Sequence, residues 1–165
     1  MADNIVAHSM KGNKGGDLVV GHNFRVDFGT KEIERVFKID GVGDKSEVVS
    51  YGEGVHHVGN TPVRPGLTTT DPVTIERLFA GDGVLAELWK DIQDATTEKD
   101  GERIPRQTLT ITMLNDAVDP KALWEIELRD AWMSSYQGPT LDHRSSEPAT
   151  ESATFVYESM KIKKA

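Results

Sequence analysis

Two stretches, TLTITM at residues 108–113 and WEIELR at residues 124–129, decide the fold class of this chain. In both, apolar residues occupy every second position, and threonine or charged residues fill the positions between them. Alternation of this kind is typical of a β-strand with one buried face and one polar face. The turn-forming residues 115–121, which include Pro120, separate the two stretches. We therefore expect an antiparallel hairpin.

Alternation with the same period recurs on both sides of this hairpin. It is visible at residues 24–28, around Val48 in a short strand ending near Tyr51, and at residues 73–76 after the turn signal Asp71-Pro72. A last strand is expected over residues 152–162. These strands predict a mainly β fold of two packed antiparallel sheets, as a sandwich or a barrel.

One segment departs from the strand pattern. Residues 83–95 place apolar side chains at helical spacing, with charged side chains on the opposite face. Asp82 is suited to cap the start of this helix by accepting a backbone N–H. The segment therefore adds one flanking α-helix to the sheets.

Two segments lack any periodicity. Residues 1–17 contain Gly12, Gly15 and Gly16 among polar residues, and we expect a flexible N-terminal arm there, with residues 18–165 forming a single domain. Residues 52–66 carry four glycines and two prolines. At about 15 residues this loop exceeds most connections, which favours a functional role or an excursion from the fold.

Composition excludes several classes of function. The chain has 165 residues, no cysteine and a net charge of −8, from 27 acidic and 19 basic residues. The acidic balance disfavours a sequence-independent nucleic-acid binder, which needs basic side chains against phosphates. Without cysteine there is no disulfide and no thiolate chemistry, which suits folding in the cytoplasm. We expect no signal peptide and no membrane insertion as a monomer.

Candidate catalytic and metal-binding patterns are weak. His56 and His57 are adjacent, so in an extended segment they point to opposite sides and rarely bind one metal ion. Glu125 and Glu127 share a strand face, but adjacent acids on a polar sheet are more simply a solvated wall than a glycosidase pair. No glycine or serine pattern has the context of a nucleotide site or a nucleophile elbow. We expect no enzyme, no metal and no cofactor.

Eight phrases, in this order, resemble the inner-tube (tail tube) proteins of contractile phage tails and extracellular contractile injection systems. They are NFRVDFG (23–29), VFKIDGVG (36–43), EVVSYGEG (47–54), VRPG (63–66), VTIER (73–77), TITMLN (110–115), WEIELRDAW (124–132) and YQGPTL (136–141). The turn at 115–121, Pro148 and the long arm depart from the pattern. Apart from Asn115, which the turn shares with TITMLN, none of these departures falls in the phrases that carry the resemblance.

The resemblance implies a tail-tube-like fold and a structural role. Six subunits would form a ring, and stacked rings would form a rigid tube that conducts DNA or protein cargo without sequence-specific binding. A sheath protein, a baseplate and tail-terminator or cap proteins would be partners, in a particle assembled in the bacterial cytoplasm. The type VI secretion tube protein is a more distant relative. A phage tail and an injection system both remain open.

Two sets of residues are candidates within such a tube. A polar, acidic, low-adhesion lumen is expected from Thr108, Thr110, Thr112, Glu125 and Glu127. Ring stacking is expected from the long loop, with Glu53, His56, His57, Asn60 and Arg64. The alternative is a monomeric β-barrel ligand-binding module, which predicts a concave apolar pocket and a monomer in solution.

Overall fold

The computed structural model describes residues 21, 23–50, 63–97, 104–115, 118–144 and 146–165, and these contain ten strands and one helix. The strands are β1 Phe24–Phe28, β2 Lys31–Glu32, β3 Val36–Asp40, β4 Asp44–Ser50, β5 Val63–Thr70, β6 Val73–Leu78, β7 Gln107–Leu114, β8 Ala122–Gln137, β9 Thr150–Val156 and β10 Ser159–Lys164, and the helix α1 is Val84–Thr97. The mainly β fold with one flanking helix is confirmed.

Strand β8 organises the molecule because it belongs to two sheets. Its first half pairs with β7 on one side and β10 on the other, and its second half pairs with β9. The first sheet has the strand order β2-β1-β7-β8-β10, and the second has the order β8-β9-β6-β3, with every pairing antiparallel. Between the two halves Asp130 has a φ of 53°, a left-handed conformation that breaks the regular strand.

The predicted last strand follows the same division. It is two strands, β9 and β10, interrupted at Tyr157 and Glu158. The interruption lies across from the irregular part of β8, where the backbone N–H of Glu158 donates to the carbonyl oxygen of Arg129 at 3.0 Å. The apolar residues change phase at this break, since Ala153, Phe155 and Tyr157 stand at odd-numbered positions and Met160 and Ile162 at even-numbered ones. The prediction of a single strand overlooked this signal.

The inner faces of the two sheets share one hydrophobic core. Phe28 of the first sheet and Phe155 of the second lie with ring centroids 5.3 Å apart. Leu85, Leu88 and Ile92 of α1 are buried in the same cluster, as the helical spacing predicts. The helix is slightly longer than expected and ends where the Thr96 and Thr97 hydroxyls donate to carbonyl oxygens of the preceding turn.

The hairpin β4–β5 forms a separate two-stranded sheet. The strand at Val48 is confirmed, but its expected half-burial is wrong: every residue of β4 is exposed, and Val48 is 75% exposed. The expectation of an aperiodic loop over 52–66 is wrong for residues 63–66, which begin β5 and pair with β4 around a bulge. Gly41, at φ 85°, turns the chain from β3 towards the hairpin, and a Cβ there would collide with the carbonyl oxygen of Pro72.

Candidate functional site

The outward face of the first sheet is polar across four strands. Neighbouring strands align Arg25, Thr112, Glu125 and Lys163 in one row, and Asp27, Thr110, Glu127 and Lys161 in the next. We call these residues, together with Arg129, the polar face. Alternation keeps their side chains on the opposite side of the sheet from the core.

Ion pairs neutralise much of the charge on the polar face. The Nε of Arg25 lies 3.1 Å from Oδ2 of Asp27, and Nη2 of Arg129 lies 3.1 Å from Oε2 of Glu127. Lys163 pairs with the same glutamate. Hydrogen bonds from Lys163 and Arg129 hold the pKa of Glu127 below its usual value.

The balance of charge differs from the acidic surface that the sequence predicts. The polar face carries four basic residues against three acidic ones. Alternation within β7 and β8 reveals the threonines and glutamates but not the strands beside them. Strand β10 supplies Lys161 and Lys163, and β1 supplies Arg25, because these strands pair there. The face as a whole is close to neutral.

The five candidate lumen residues lie on neighbouring strands β7 and β8, as expected, but differ in burial. Thr112 is only 2% exposed, between Arg25 and Glu125 on the strands beside it. The other four are half-buried, and Thr108 falls at the irregular register between Gln107 and Leu109. Their exposure to a lumen stays a prediction.

Of the candidate stacking residues, the structure describes one. Glu53, His56, His57 and Asn60 lie outside the described residues. Arg64 is exposed on β5, opposite Val49 of β4. The hairpin also exposes apolar surface, with Val48 at 75% and Leu67 at 76%.

The base of the hairpin is fixed to the body around Tyr157. Its buried hydroxyl donates towards the carbonyl oxygen of Gly43 at 2.9 Å, with Oδ1 of Asp44 at 3.2 Å. Burial and the negative charge of Asp44 raise the pKa of Tyr157. In return the Thr70 hydroxyl donates to the backbone carbonyl of Tyr157 at 2.9 Å. The hairpin is therefore anchored at its root and exposed along its length.

The second sheet contains a buried charge network that was not predicted from the sequence. Arg77 is fully buried, and its Nε donates to Oε1 of Glu151, also buried, at 2.6 Å. Its Nη1 lies 3.1 Å from Oδ2 of Asp82 and donates to the carbonyl oxygen of Glu34 at 3.3 Å. The hydroxyl of Tyr136 donates to the second oxygen of Glu151 at 2.7 Å. We call the four side chains of Arg77, Glu151, Tyr136 and Asp82 the buried network.

The buried network joins the start of α1 to three strands. Asp82 lies two residues before the first residue of α1, and its predicted capping role stays a prediction. The hydrogen bond from Arg77 holds the pKa of Asp82 below its usual value. Burial, with the hydrogen bond to Glu151, raises the pKa of Tyr136 to about 12. Val73, Ile75 and Arg77 occupy every second position of β6, so the alternation of the strand predicts that Arg77 lies on the buried face.

An apolar pocket of about 330 Å³ lies between the two sheets. Its walls come from the inner face of the first sheet and from β3 with the residues after it. It is lined by Gly21, Asn23, Phe24, Phe37, Lys38, Ile39, Val42, Ile111, Met113 and Ile126. A concave apolar pocket is what the alternative of a ligand-binding module requires.

Other kinds of site find little support in the part of the chain that the structure describes. It contains no group of three or more acidic or histidine side chains placed to hold a metal ion. Its helix is too short and too polar to cross a bilayer. His143 is exposed.

Comparison with known proteins identifies the family. Residues 20–161 match the model of the T4-like virus tail tube protein gp19. No functionally curated protein matches the chain. The family is one of structural tube proteins, not enzymes.

Solved structures share the fold. A chain of the PVC sheath-tube complex, an extracellular contractile injection system in its extended state, has a TM-score of 0.73 at 20% identity, covering 90% of this chain and 93% of that one. The tube terminating cap of the anti-feeding prophage has a TM-score of 0.74 at 18% identity, covering 96% and 99%. Hcp1 from Flavobacterium johnsoniae has a TM-score of 0.53 at 16% identity, covering 87% and 96%. With the family model matching most of its length, this chain belongs to the T4-like tail tube protein family.

Proposed function

We propose that this chain is the repeating subunit of a tail tube in which six copies form a ring, rings stack, and cargo passes through the lumen. The observation that carries the proposal is the exposed hairpin β4–β5. An isolated two-stranded hairpin is at best marginally stable in water. Its exposed Val48 and Leu67 would gain stability by packing against a neighbouring ring.

Lateral contacts within a ring would use the open edges of the sheets. In the described residues, β2 and β10 are the outer strands of the first sheet, and β3 is an outer strand of the second. Beside β10 the inner face is uncovered, with Trp124 at 39% and Ile162 at 56% exposed. Unpaired edges are a liability in a monomer, and a closed ring of identical copies removes it.

The polar face supports a conducting lumen. The ion pairs described above are made within the subunit, where Arg129 and Lys163 partly neutralise Glu127. Beside Glu127, Thr108, Thr110 and Glu125 are half-buried, and Thr112 is covered. Such a surface offers cargo few unpaired charges to bind. DNA or protein would pass without sequence-specific contacts.

The partners of this tube follow from its relatives. The PVC structure is described as a sheath-tube complex, and the anti-feeding prophage chain as a tube terminating cap. We expect a sheath around this tube, a cap or terminator at one end and a baseplate at the other. Assembly of the particle would take place in the bacterial cytoplasm.

Electron microscopy of the purified protein tests ring and tube formation. We expect six-fold rings and stacked tubes in the wild type. A monomer at all concentrations would contradict the proposal and favour the ligand-binding alternative.

The hairpin is tested by the double variant Val48→Asp/Leu67→Asp. Desolvating two carboxylates at a ring-ring contact is unfavourable, so we expect rings without tubes. The subunit itself should stay folded, because both positions are exposed. Val118→Asp, at another exposed apolar position, is the matched control and should form tubes.

The long loop is tested by deleting residues 53–61. We expect a folded subunit, by circular dichroism, that fails to form tubes. Long tubes after this deletion would refute a stacking role for Glu53, His56, His57 and Asn60.

A further inference from the structure

Two short connections join the hairpin β4–β5 to the body of the subunit. Residues 41–43 lead from β3 into β4, and Asp71 and Pro72 lead from β5 into β6. Within the described residues, β4 and β5 pack mainly against each other along their length. The connections fix where the hairpin begins but not the angle at which it leaves, because rotations about the backbone of the linking residues remain possible.

Tyr157 connects the start of β4 to the body. Its ring is buried in the shared hydrophobic core, and its hydroxyl lies 2.9 Å from the carbonyl oxygen of Gly43 and 3.2 Å from Oδ1 of Asp44. The backbone beside the ring is held as well, since the N–H of Glu158 donates to the carbonyl oxygen of Arg129 at 3.0 Å. The hydroxyl therefore gives the start of the hairpin a fixed point on the body.

The end of β5 is bound to the same residue. The hydroxyl of Thr70 donates to the carbonyl oxygen of Tyr157 at 2.9 Å. The N–H of Asp71 donates to the carbonyl oxygen of Gly43 at 3.1 Å, which joins the two connections to each other. A hairpin held at one point can turn about it, whereas a hairpin held at both connections tilts only by breaking a hydrogen bond.

We propose that Tyr157 is the positioning residue of the hairpin and holds it at one angle to the body before it contacts a neighbouring ring. The consequence for stacking rests on the proposed function, in which the exposed hairpin packs against the next ring. A segment that already has its bound geometry loses less conformational entropy on binding. Six hairpins would dock together, so a loss of about twofold at each would become about 60-fold for each added ring.

Pulsed EPR reports the angle of the hairpin, because the chain has no cysteine and a pair of spin labels can be placed where it is needed. Leu67→Cys carries a label on the hairpin, and Lys161→Cys carries one on β10, both at exposed positions. Labelled protein is diluted with unlabelled protein, so that only distances within one subunit are read. We expect a narrow distribution of distances, and a wider one after Tyr157→Phe, which keeps the ring and removes the hydroxyl.

Tyr136→Phe is the matched control for this measurement. It also removes one tyrosine hydroxyl, which donates to Glu151 in the buried network. Each change should lower the midpoint of thermal unfolding by about 2–5 °C, as loss of one hydrogen bond does in a domain of this size. Only Tyr157→Phe should widen the distribution of distances. Thr70→Val, which removes the second hydrogen bond to the body, should widen it as well.

Electron microscopy of a concentration series gives a second reading on unlabelled protein. We expect Tyr157→Phe to form rings at the same concentration as the wild type and to need at least about tenfold more protein to form tubes. Tyr136→Phe should form tubes at the concentration of the wild type. A role of Tyr157 in stability alone would not separate the two variants.

The two readings also separate the possible failures. A distribution of distances as narrow in Tyr157→Phe as in the wild type would overturn the proposal. A wider distribution with unchanged tube formation would overturn the link between the angle of the hairpin and stacking. A wild type that forms no tubes would contradict the proposed function instead, and the distances would still decide whether Tyr157 positions the hairpin.

Discussion

Arginine and carboxylate side chains pair in two regions of this molecule that differ in how far water reaches them. In the buried network, Arg77 and Glu151 have no exposed side-chain surface. On the polar face, Arg129 is 48% exposed and its partner Glu127 is 18% exposed. The chemistry of the pairs is the same, but the cost of losing a partner is not, because water can replace a partner only on the exposed face.

This difference in exposure to water implies different roles for the buried network and the polar face. The buried network determines structure, since it ties β6, β9, β8 and the start of α1 together. The polar face does not join strands to the helix in this way, so its side chains can form a surface that contacts other molecules. In the tube that we propose, the buried network would stiffen the wall and the polar face would be the surface that cargo passes.

The largest effect is expected from Arg77→Leu. Removing the arginine leaves the buried Glu151 carboxylate without its cation and Asp82 without its main partner. Breaking one side of a buried pair costs about 3–5 kcal/mol. Denaturant titration should show the free energy of unfolding falling by that amount.

The double variant Arg77→Leu/Glu151→Leu is the control for this effect. With both charges gone, the buried carboxylate no longer needs a partner, so a large part of the loss should be recovered. If the double variant is as unstable as the single one, the loss comes from packing and not from the unpaired charge.

A smaller effect is expected from Tyr136→Phe, which removes the hydroxyl that donates to Glu151. A buried acceptor that loses one donor costs about 1–3 kcal/mol. Because Arg77 still serves the other carboxylate oxygen, we expect the lower end of this range. Thermal unfolding at neutral pH measures the difference.

The same tyrosine gives an alkaline pH dependence. Its pKa is about 12 in the folded chain and near its ordinary value of 10 in the unfolded chain. A raised pKa contributes stability that is complete below pH 10 and is lost as the pH rises towards 12. Stability of the wild type should therefore fall more steeply over this window than that of Tyr136→Phe. If the stability of the two proteins falls in parallel with pH, the pKa of Tyr136 is not raised in the folded chain.

The sequence predicts those features of the polar face and the buried network that depend on residues close together in the chain. It does not predict those that depend on contacts between distant segments. Alternation in β7 and β8 predicts the core positions Leu109 and Ile111 and the hairpin between the strands, because strand periodicity is local. The bases that neutralise the polar face come from β1 and β10, far away in sequence. Their pairing with β7 and β8 is tertiary and leaves no local pattern.

The buried network and the hairpin mark two other limits of sequence reasoning. Arg77 occupies an inward position that a charged residue takes only when partners are supplied, and Glu151 is 74 residues away. Val48 alternates like a half-buried strand but projects from the body, because burial depends on what a strand packs against. Neither the burial of Arg77 nor the exposure of Val48 can be predicted from the residues of its own segment.

The smallest effect on stability is expected from Lys163→Gln on the polar face. The lysine pairs with Glu127, which keeps its second partner Arg129 and access to water, so the midpoint of thermal unfolding should not change measurably. The pKa of Glu127 should rise towards its usual value, because the hydrogen bond from Lys163 is the main cause of its lowering. Carboxyl-detected NMR titration measures this shift, and Lys161→Gln, which removes the same charge two residues away, is the matched control with a smaller rise. A loss of stability as large as that of Arg77→Leu would contradict the contrast, since it would mean that the polar face is sealed from water as the buried network is.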